Sequence, residues 1–525
     1  MYNISKMINN FFQKNYFLLP LIFCFSITFN GYYASLGVFP IDTFYHYDTG
    51  FRVLNNEFPV KDYWVTTGIL VDFIEALFFK IFGVSWFSHI LHSSIFNAFI
   101  IVFTFHTFKI FKLNIFYSFC YSLLFGILAY PPSGTPFADH HAILFLLAGG
   151  YSLLLGVKTE KKIYWITLPW FFGFSFLCKQ VPAAYMIILT SLFFLIYFTI
   201  KKNFTFLINT FVSSAFFITT IGFIIFYLEI SYKDFLTQYI FYPPSIGVDR
   251  ILNFKLNLND FFNHYKFILM PFLLVVFLNY KKIISSQINK KNFFIYGVIL
   301  IFLISSIFNQ ILTKNQIFIY ILSPLIFGYL AICINYKKYK NKNYIIVLIL
   351  IVSALITIKY HYRFNEERKF HELQSVDLSK GLSANLIHDQ LKGLNWITPM
   401  HKLDPIEEIE IILNWLNILK DDERPKMVIT HYLFIDSITK QSLTPPSRSF
   451  TLDGASFPIK GNKYFENYKI FFNKKIKEKK IEAIYILENK IQNEAVTDYL
   501  EKECLRSFKQ ERYLRIFELN EVCFN

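Results

Sequence analysis

The chain has 525 residues, of which 54% are hydrophobic, 20% aromatic and only 17% charged, with a net charge of +15. Its mean hydropathy is +0.39. Soluble domains carry about 25% charged residues, so this composition excludes an ordinary water-soluble globule or a disordered chain and points to a polytopic membrane protein. The positive charge does not mark a nucleic-acid binder. The lysines sit in short clusters between apolar runs, at Lys158, Lys161 and Lys162, at Lys201 and Lys202, at Lys281, Lys282, Lys290 and Lys291, and at Lys337, Lys338, Lys340 and Lys342. That is the pattern of loops retained in the cytoplasm.

In chain order, apolar runs of spanning length cover approximately 16–36, 88–106, 114–130, 142–157, 164–178, 182–200, 205–229, 266–280, 293–312, 316–335 and 344–360. A span needs about 20 mostly apolar residues. The first run lacks a small-residue cleavage site and reads as a signal anchor. A further run, TGILVDFIEALFFKIFGV (67–84), carries Asp72, Glu75 and Lys80. With the N-terminus inside, next to Lys6 and Lys14, every lysine cluster falls in the cytoplasm only if 67–84 does not span. The acids at 72 and 75 share one helical face, as in an amphipathic helix lying at the interface. The expectation is about eleven spans in residues 1–360, a long first outer loop over 37–87, and an extracytoplasmic tail over 361–525.

The tail is richer in Glu, Lys, Asp and Asn, and its apolar residues become periodic. DPIEEIEIILNWLNILK (404–420) reads as a helix opened by a proline, and 463–480 as a second helix. KMVITHYLFI (426–435), IEAIYILE (481–488) and 513–524 read as strands. Helices alternating with strands predict a small α/β domain with a mostly parallel sheet. Four cysteines lie in or beside apolar runs, whereas Cys504 and Cys523 could pair if the tail is exported.

The topology places four polar groups on the outer face. The first is PIDTFYHYDTG (40–50), with Asp42, Tyr45, His46 and Asp48, followed by Lys61 and Asp62. The second is PPSGTPFADHHA (131–142), with Asp139, His140 and His141. The third is CKQVP, with Lys179. The fourth is the loop 231–265, with Tyr242, Asp249 and Arg250. The chain has no Gly-rich phosphate loop, HExxH or GxSxG. A carboxylate can deprotonate a hydroxyl, and a cation can neutralise a phosphate leaving group. Together they suit sugar transfer from a lipid-phosphate donor.

Residues 40–83 resemble the first outer loop of GT-C glycosyltransferases, the broad group that includes protein O-mannosyltransferases and the lipid A aminoarabinose transferases. Asp42, Tyr45, Pro59, Asp62 and Phe82-Gly83 fill that pattern, Asp139 stands where those enzymes have a second outer-loop acid, and FGFSFLCKQVPAA (172–184) is similar to their lysine–proline segment. Two places depart from it. Thr66-Thr67-Gly68 replaces the usual His-Pro, and His140 and His141 stand where an arginine is common. The resemblance covers roughly the first 200 residues.

The resemblance implies a GT-C-like fold and an inverting transfer from a polyprenyl-phosphate-linked sugar to a lipid, glycan or protein hydroxyl. It implies Asp42 as base, Asp139 as second catalytic acid, and Lys179 and Arg250 at the donor phosphate. Tyr45, Asp62, His140 and His141 would serve acceptor binding or orientation. It also implies a divalent metal, Mg or Mn, with Asp42, Asp139 and His140 as its ligands, and a multi-pass location in a bacterial inner membrane with the site on the periplasmic side. An O-antigen polymerase or ligase and a polytopic transporter are the alternatives; Asp48 is expected to be structural.

Overall fold

The computed structural model describes residues 17–201, 204–252, 257–284, 290–313, 317–337 and 339–523. They are mostly helical. Among them, seven helices are long and apolar enough to cross a membrane: Trp86–Ile110, Ala138–Thr159, Gln180–Ile200, Phe204–Tyr227, Phe261–Asn279, Phe293–Thr313 and Lys342–His371. Three shorter apolar helices are Leu18–Ala34, Ile115–Ala129 and Leu322–Asn335. The helix Lys162–Cys178 is 17 residues long. At 1.5 Å per residue such a helix reaches about 25 Å, a little short of a hydrocarbon core of about 30 Å.

The chain divides into two compact units, each drawn from three segments. The first takes the segment ending at Ala34, Ser93–Thr220 and Phe254–Phe370; the second takes Ser35–His92, Ile221–Asn253 and His371–Asn525.

In the first unit the helix Ala138–Thr159 is the best-buried element, with 83% of its apolar window inside. Its small residues let neighbours approach closely. Phe172 packs on Gly149 and Trp165 on Gly156. Trp165 is itself stacked between Tyr197 and Phe206, with centroids 5.7 and 5.3 Å away. By contrast only 11% of the helix Phe204–Tyr227 is buried, and its exposed side chains include Phe211, Phe216, Phe223 and Phe226. A helix that is apolar all round is suited to a lipid surrounding. Buried Arg368 donates to the carbonyls of Pro131 (3.0 Å), Pro132 (3.3 Å) and Ser133 (3.4 Å), which fixes the loop leading to Asp139.

The second unit centres on a four-stranded sheet: β1 (Lys426–Ile429), β2 (Ala483–Leu487), β3 (Leu505–Glu511) and β4 (Leu514–Leu519), in the order β1-β2-β4-β3. Only β1 and β2 are parallel; β2–β4 and β3–β4 are antiparallel. This corrects the expectation of a mostly parallel sheet. Two of the four strands form a hairpin whose outer strand, β3, is almost wholly exposed, so it lacks the apolar alternation that marks a strand. The expected strand 426–435 also ends early, at Ile429, and Ile435–Thr439 is a helix.

Alternation along the strands builds two cores. Val428, Tyr485 and Leu487 face the helix Pro405–Asp421 through Ile409, Ile412, Trp415, Leu416 and Leu419. Met427, Ile429, Ile484 and Ile486 face the helix Phe465–Glu478 through Tyr468, Phe472 and Ile476. The first helix begins where sequence chemistry dictates: Asp404 caps it by accepting from Glu407 N (3.0 Å), and Pro405 occupies its first turn.

The segment 35–92 is part of these cores. Val38, Phe44, Tyr47, Phe79 and Trp86 join the cluster that holds Trp396 and Trp415. The backbone of Ser35–Val38 pairs with Asn395–Ile397, through Asn395 N to Ser35 O (2.9 Å) and Val38 N to Ile397 O (2.8 Å). Cys504 and Cys523 form a disulfide.

Candidate functional site

The stretch 40–50 is helical in two pieces, Pro40–Thr43 and Tyr45–Leu54. Asp42 lies in the short first piece, partly exposed, with its N–H donating to Phe39 O (3.0 Å). Tyr45 is also partly exposed. Its ring carries the Arg448 guanidinium at 5.4 Å and meets the edge of His46 at 5.0 Å. Asp62 closes its own loop: Oδ2 accepts from Phe58 N (2.8 Å), and Lys475 Nζ lies 3.5 Å from Oδ1. Arg250 falls on the helix Tyr242–Leu252; its side chain lies outside the described residues.

The acids of the helix Ile69–Phe82 do not sit at a solvated surface. Asp72 and Glu75 are fully buried, and each is surrounded by donors. Asp72 accepts from His46 Nδ1 (2.9 Å), Thr49 Oγ1 (2.6 Å), the Tyr63 hydroxyl (3.1 Å) and Arg448 Nη2. Glu75 accepts from His89 Nδ1 (2.7 Å) and His92 Nδ1 (2.5 Å). Burial alone would raise the Glu75 carboxyl, but the charge and hydrogen bond of His89, with the bond from His92, hold it below the ordinary carboxylate range. Gly68 caps the helix in a left-handed conformation (φ 76°). A Cβ there would stand 2.6 Å from His46 Cε1 and 2.9 Å from Arg448 Nη1, so only glycine fits beside this knot.

A second buried group surrounds Asp48. Arg52 Nε donates to Glu57 Oε2 (2.9 Å) and Nη1 to Pro445 O (3.0 Å), and the guanidinium stacks on Tyr63 at 4.2 Å. Burial pushes Asp48 up to about 7, partly offset by the Arg52 charge. Burial raises Asp436 as well, and the Asp48 charge adds to it. Asp48, Arg52 and Asp436 are all buried.

In the first unit, Asp139 and Lys179 come together as an ion pair. Helix chemistry places both. Asp139 lies in the first turn of Ala138–Thr159, where the helix dipole favours a carboxylate, and Lys179 follows the last residue of Lys162–Cys178, where it favours a cation. Lys179 is extended (φ −157°, ψ 134°), and Val181 is non-helical (φ −116°, ψ 139°) because Pro182 disfavours helical backbone in the residue before it. This break between consecutive helices turns the Lys179 side chain towards Asp139. The pair remains reachable, with 15% of the Asp139 side chain and 23% of Lys179 exposed.

His140 and His141 leave the helix in other directions. The His140 ring stacks on Tyr130 (5.2 Å) and meets the edges of Phe137 (5.8 Å) and Phe370 (5.9 Å). His141 is hydrogen-bonded to the Tyr130 hydroxyl and stacks on Phe96 at 4.2 Å. Among the described residues no group of three or more His, Cys, Asp and Glu side chains could hold a metal. Within this unit the donors do not converge on a cation. Asp139 accepts from an ammonium, and His140 packs among aromatic rings.

Beside Asp139 lies a narrow cleft lined by Ile143 and Pro182 and, across from them, by Ser306, Asn309 and Gln310. Sequence reasoning passed over these three. The signal was present as an amide pair in SSIFNQILT, near the end of an otherwise apolar run. Arg448 and Arg368 were also missed. Their partners lie 376 residues away (Asp72) and 235 to 237 residues away (Ser133 to Pro131), separations that no local pattern encodes.

No family model and no curated protein sequence matches the chain.

Proposed function

We propose that this protein is a membrane glycosyltransferase that moves a sugar from a polyprenyl-phosphate donor to an acceptor hydroxyl at the outer face of a bacterial inner membrane. The observation that carries the reading is the Asp139–Lys179 pair, a carboxylate and a cation held at complementary helix ends and left partly open. The seven long apolar helices, the three shorter ones and Lys162–Cys178 fall on the eleven segments read as spans, and they support that count. A disulfide in the tail fits an oxidising, exported compartment.

In this mechanism the acceptor oxygen attacks the anomeric carbon as the bond from that carbon to the phosphate oxygen breaks, with inversion. The acceptor proton passes to the Asp42 carboxylate. The departing phosphate keeps the electron pair, and its charge is balanced by Lys179, with Arg250 as a second cation. Asp139 holds Lys179 and orients the donor. An ordinary carboxylate is a weak base, so alignment of the acceptor supplies much of the rate; good positioning is worth about 7–11 kcal/mol.

The test is release of free undecaprenyl phosphate by the full chain in lipid nanodiscs. The substrates are undecaprenyl-phosphate-glucose, -mannose and -galactose, each with a membrane-extract acceptor. Asp42→Asn keeps volume and removes the base. It should lower the rate at least about 100-fold, the low end of what a general base contributes. Turnover at the wild-type rate would sink the assignment.

A further inference from the structure

Ser306, Asn309 and Gln310 are spaced i, i+3 and i+4 on the helix Lys290–Thr313, so they share one face. They are 5%, 7% and 3% exposed. Ser306 Oγ, Asn309 Oδ1 and Gln310 Nε2 have no hydrogen-bond partner among the described residues. A buried polar atom left without a partner costs about 1–3 kcal/mol. Leucine at these positions would serve an apolar helix better, so the polar groups need a reason beyond packing. All three line the cleft that also holds Asp139.

The chemistry of the lining selects the ligand. Primary amides donate and accept, a serine hydroxyl does both, and a carboxylate only accepts. A ligand hydroxyl likewise does both and can satisfy every one of these groups. A phosphate only accepts and carries negative charge, so it would meet repulsion from Asp139. The cleft is narrow, so an edge bearing hydroxyls enters it and a whole ring does not.

We propose that this cleft is a sugar-hydroxyl subsite, in which Asn309 and Gln310 clamp the hydroxyl edge of a sugar and Asp139 accepts one of its protons in a hydrogen bond. The choice of a sugar rests on the glycosyltransfer reading. It deepens that reading by giving Lys179 to the phosphate and the amide pair to the sugar.

Binding can be tested without turnover. The full chain in nanodiscs is melted with sub-micellar n-octyl β-D-glucoside, with n-octyl phosphate, and with octyl tetraethylene glycol ether as a chain-only control. The glucoside should raise the melting midpoint of the wild type more than either other amphiphile, because a ligand that binds only the folded state stabilises it. In Asn309→Leu and Gln310→Leu the half-saturating glucoside concentration should rise at least about tenfold, a factor worth one lost hydrogen bond. Without ligand, both variants should melt at or above the wild type. Ser306→Ala, which changes volume least, should weaken glucoside binding in the same direction.

Three results would overturn the proposal: stronger stabilisation by octyl phosphate, glucoside affinity unchanged in the variants, or leucine variants that melt lower without ligand. If binding fails here while transfer still depends on Asp42, only the subsite is wrong. If the glucoside binds as described and no donor is turned over, only the transfer reading is wrong.

Discussion

Two polar clusters, one in each unit, are held differently. In the unit containing the sheet, the buried carboxylates Asp72 and Glu75 are enclosed by donors, while Asp48 Oδ2, Arg52 Nη2 and Arg448 Nε have no hydrogen-bond partner among the described residues. Asp72 has four donors, Glu75 has two imidazoles, and Arg52 engages a carboxylate, a carbonyl and an aromatic face. In the apolar unit, the polar face at Ser306, Asn309 and Gln310 has atoms with no partner among the described residues, beside an ion pair that solvent can reach. Buried ions persist where they are fully hydrogen-bonded. Asp72 and Glu75, enclosed by donors and closed to solvent, therefore read as architecture. Polar atoms without partners, in a cleft beside a reachable charge, read as a place awaiting a ligand.

The sharpest way to break this comparison is to open the knot around Asp72. Arg448→Met removes the cation that bridges Asp72, Tyr45 and Tyr63 and leaves a buried carboxylate without its guanidinium partner. Breaking a buried pair from one side costs about 3–5 kcal/mol. The expected outcome is a sheet unit that unfolds at markedly lower temperature, read by circular dichroism in detergent. A change below about 1 kcal/mol would mean that the knot is not architectural.

A smaller effect is expected from pH. Burial raises Asp48 to about 7 in the folded chain, above its ordinary value of about 3.9. The folded state therefore holds a proton that the unfolded state releases. The Asp48 contribution to stability is greatest below about pH 4 and falls as pH rises towards 7. Asp436, raised in the same direction, shares this slope. Arg52, Glu57 and Arg448 are the other charged groups acting on Asp48. Melting midpoints of the full chain from pH 5 to 8 should decline, and Asp48→Asn should flatten the decline. A midpoint that climbs with pH in the wild type and not in the variant would reverse the account.

Features carried by local physics were legible in the sequence. The apolar runs appear as helices, and the cap Asp404 with Pro405 opens the helix expected there. β1 begins at Lys426 as read, but the pattern could not show that Ile435–Thr439 turns helical. β3 was invisible because an exposed edge strand, LRSFKQE, needs no apolar alternation, and its turn at Arg512–Tyr513 carries no glycine or asparagine signal. The expected parallel sheet failed for the same reason. At the site, lysine parity anticipated Asp139 and Lys179 on one side, and the structure pairs them. It also draws His140 and His141 away into aromatic packing, because successive residues on a helix point about 100° apart. Asp72 and Glu75 looked interfacial because their partners, Arg448 above all, are distant in sequence.

The most direct measurement is a lipid mass spectrum of the full chain purified in mild detergent, wild type against Lys179→Met. The account predicts that polyprenyl phosphate or its glycoside is enriched with the wild type over bulk phospholipid and falls severalfold in the variant. Bulk phospholipids alone, in equal proportions for both proteins, would contradict it.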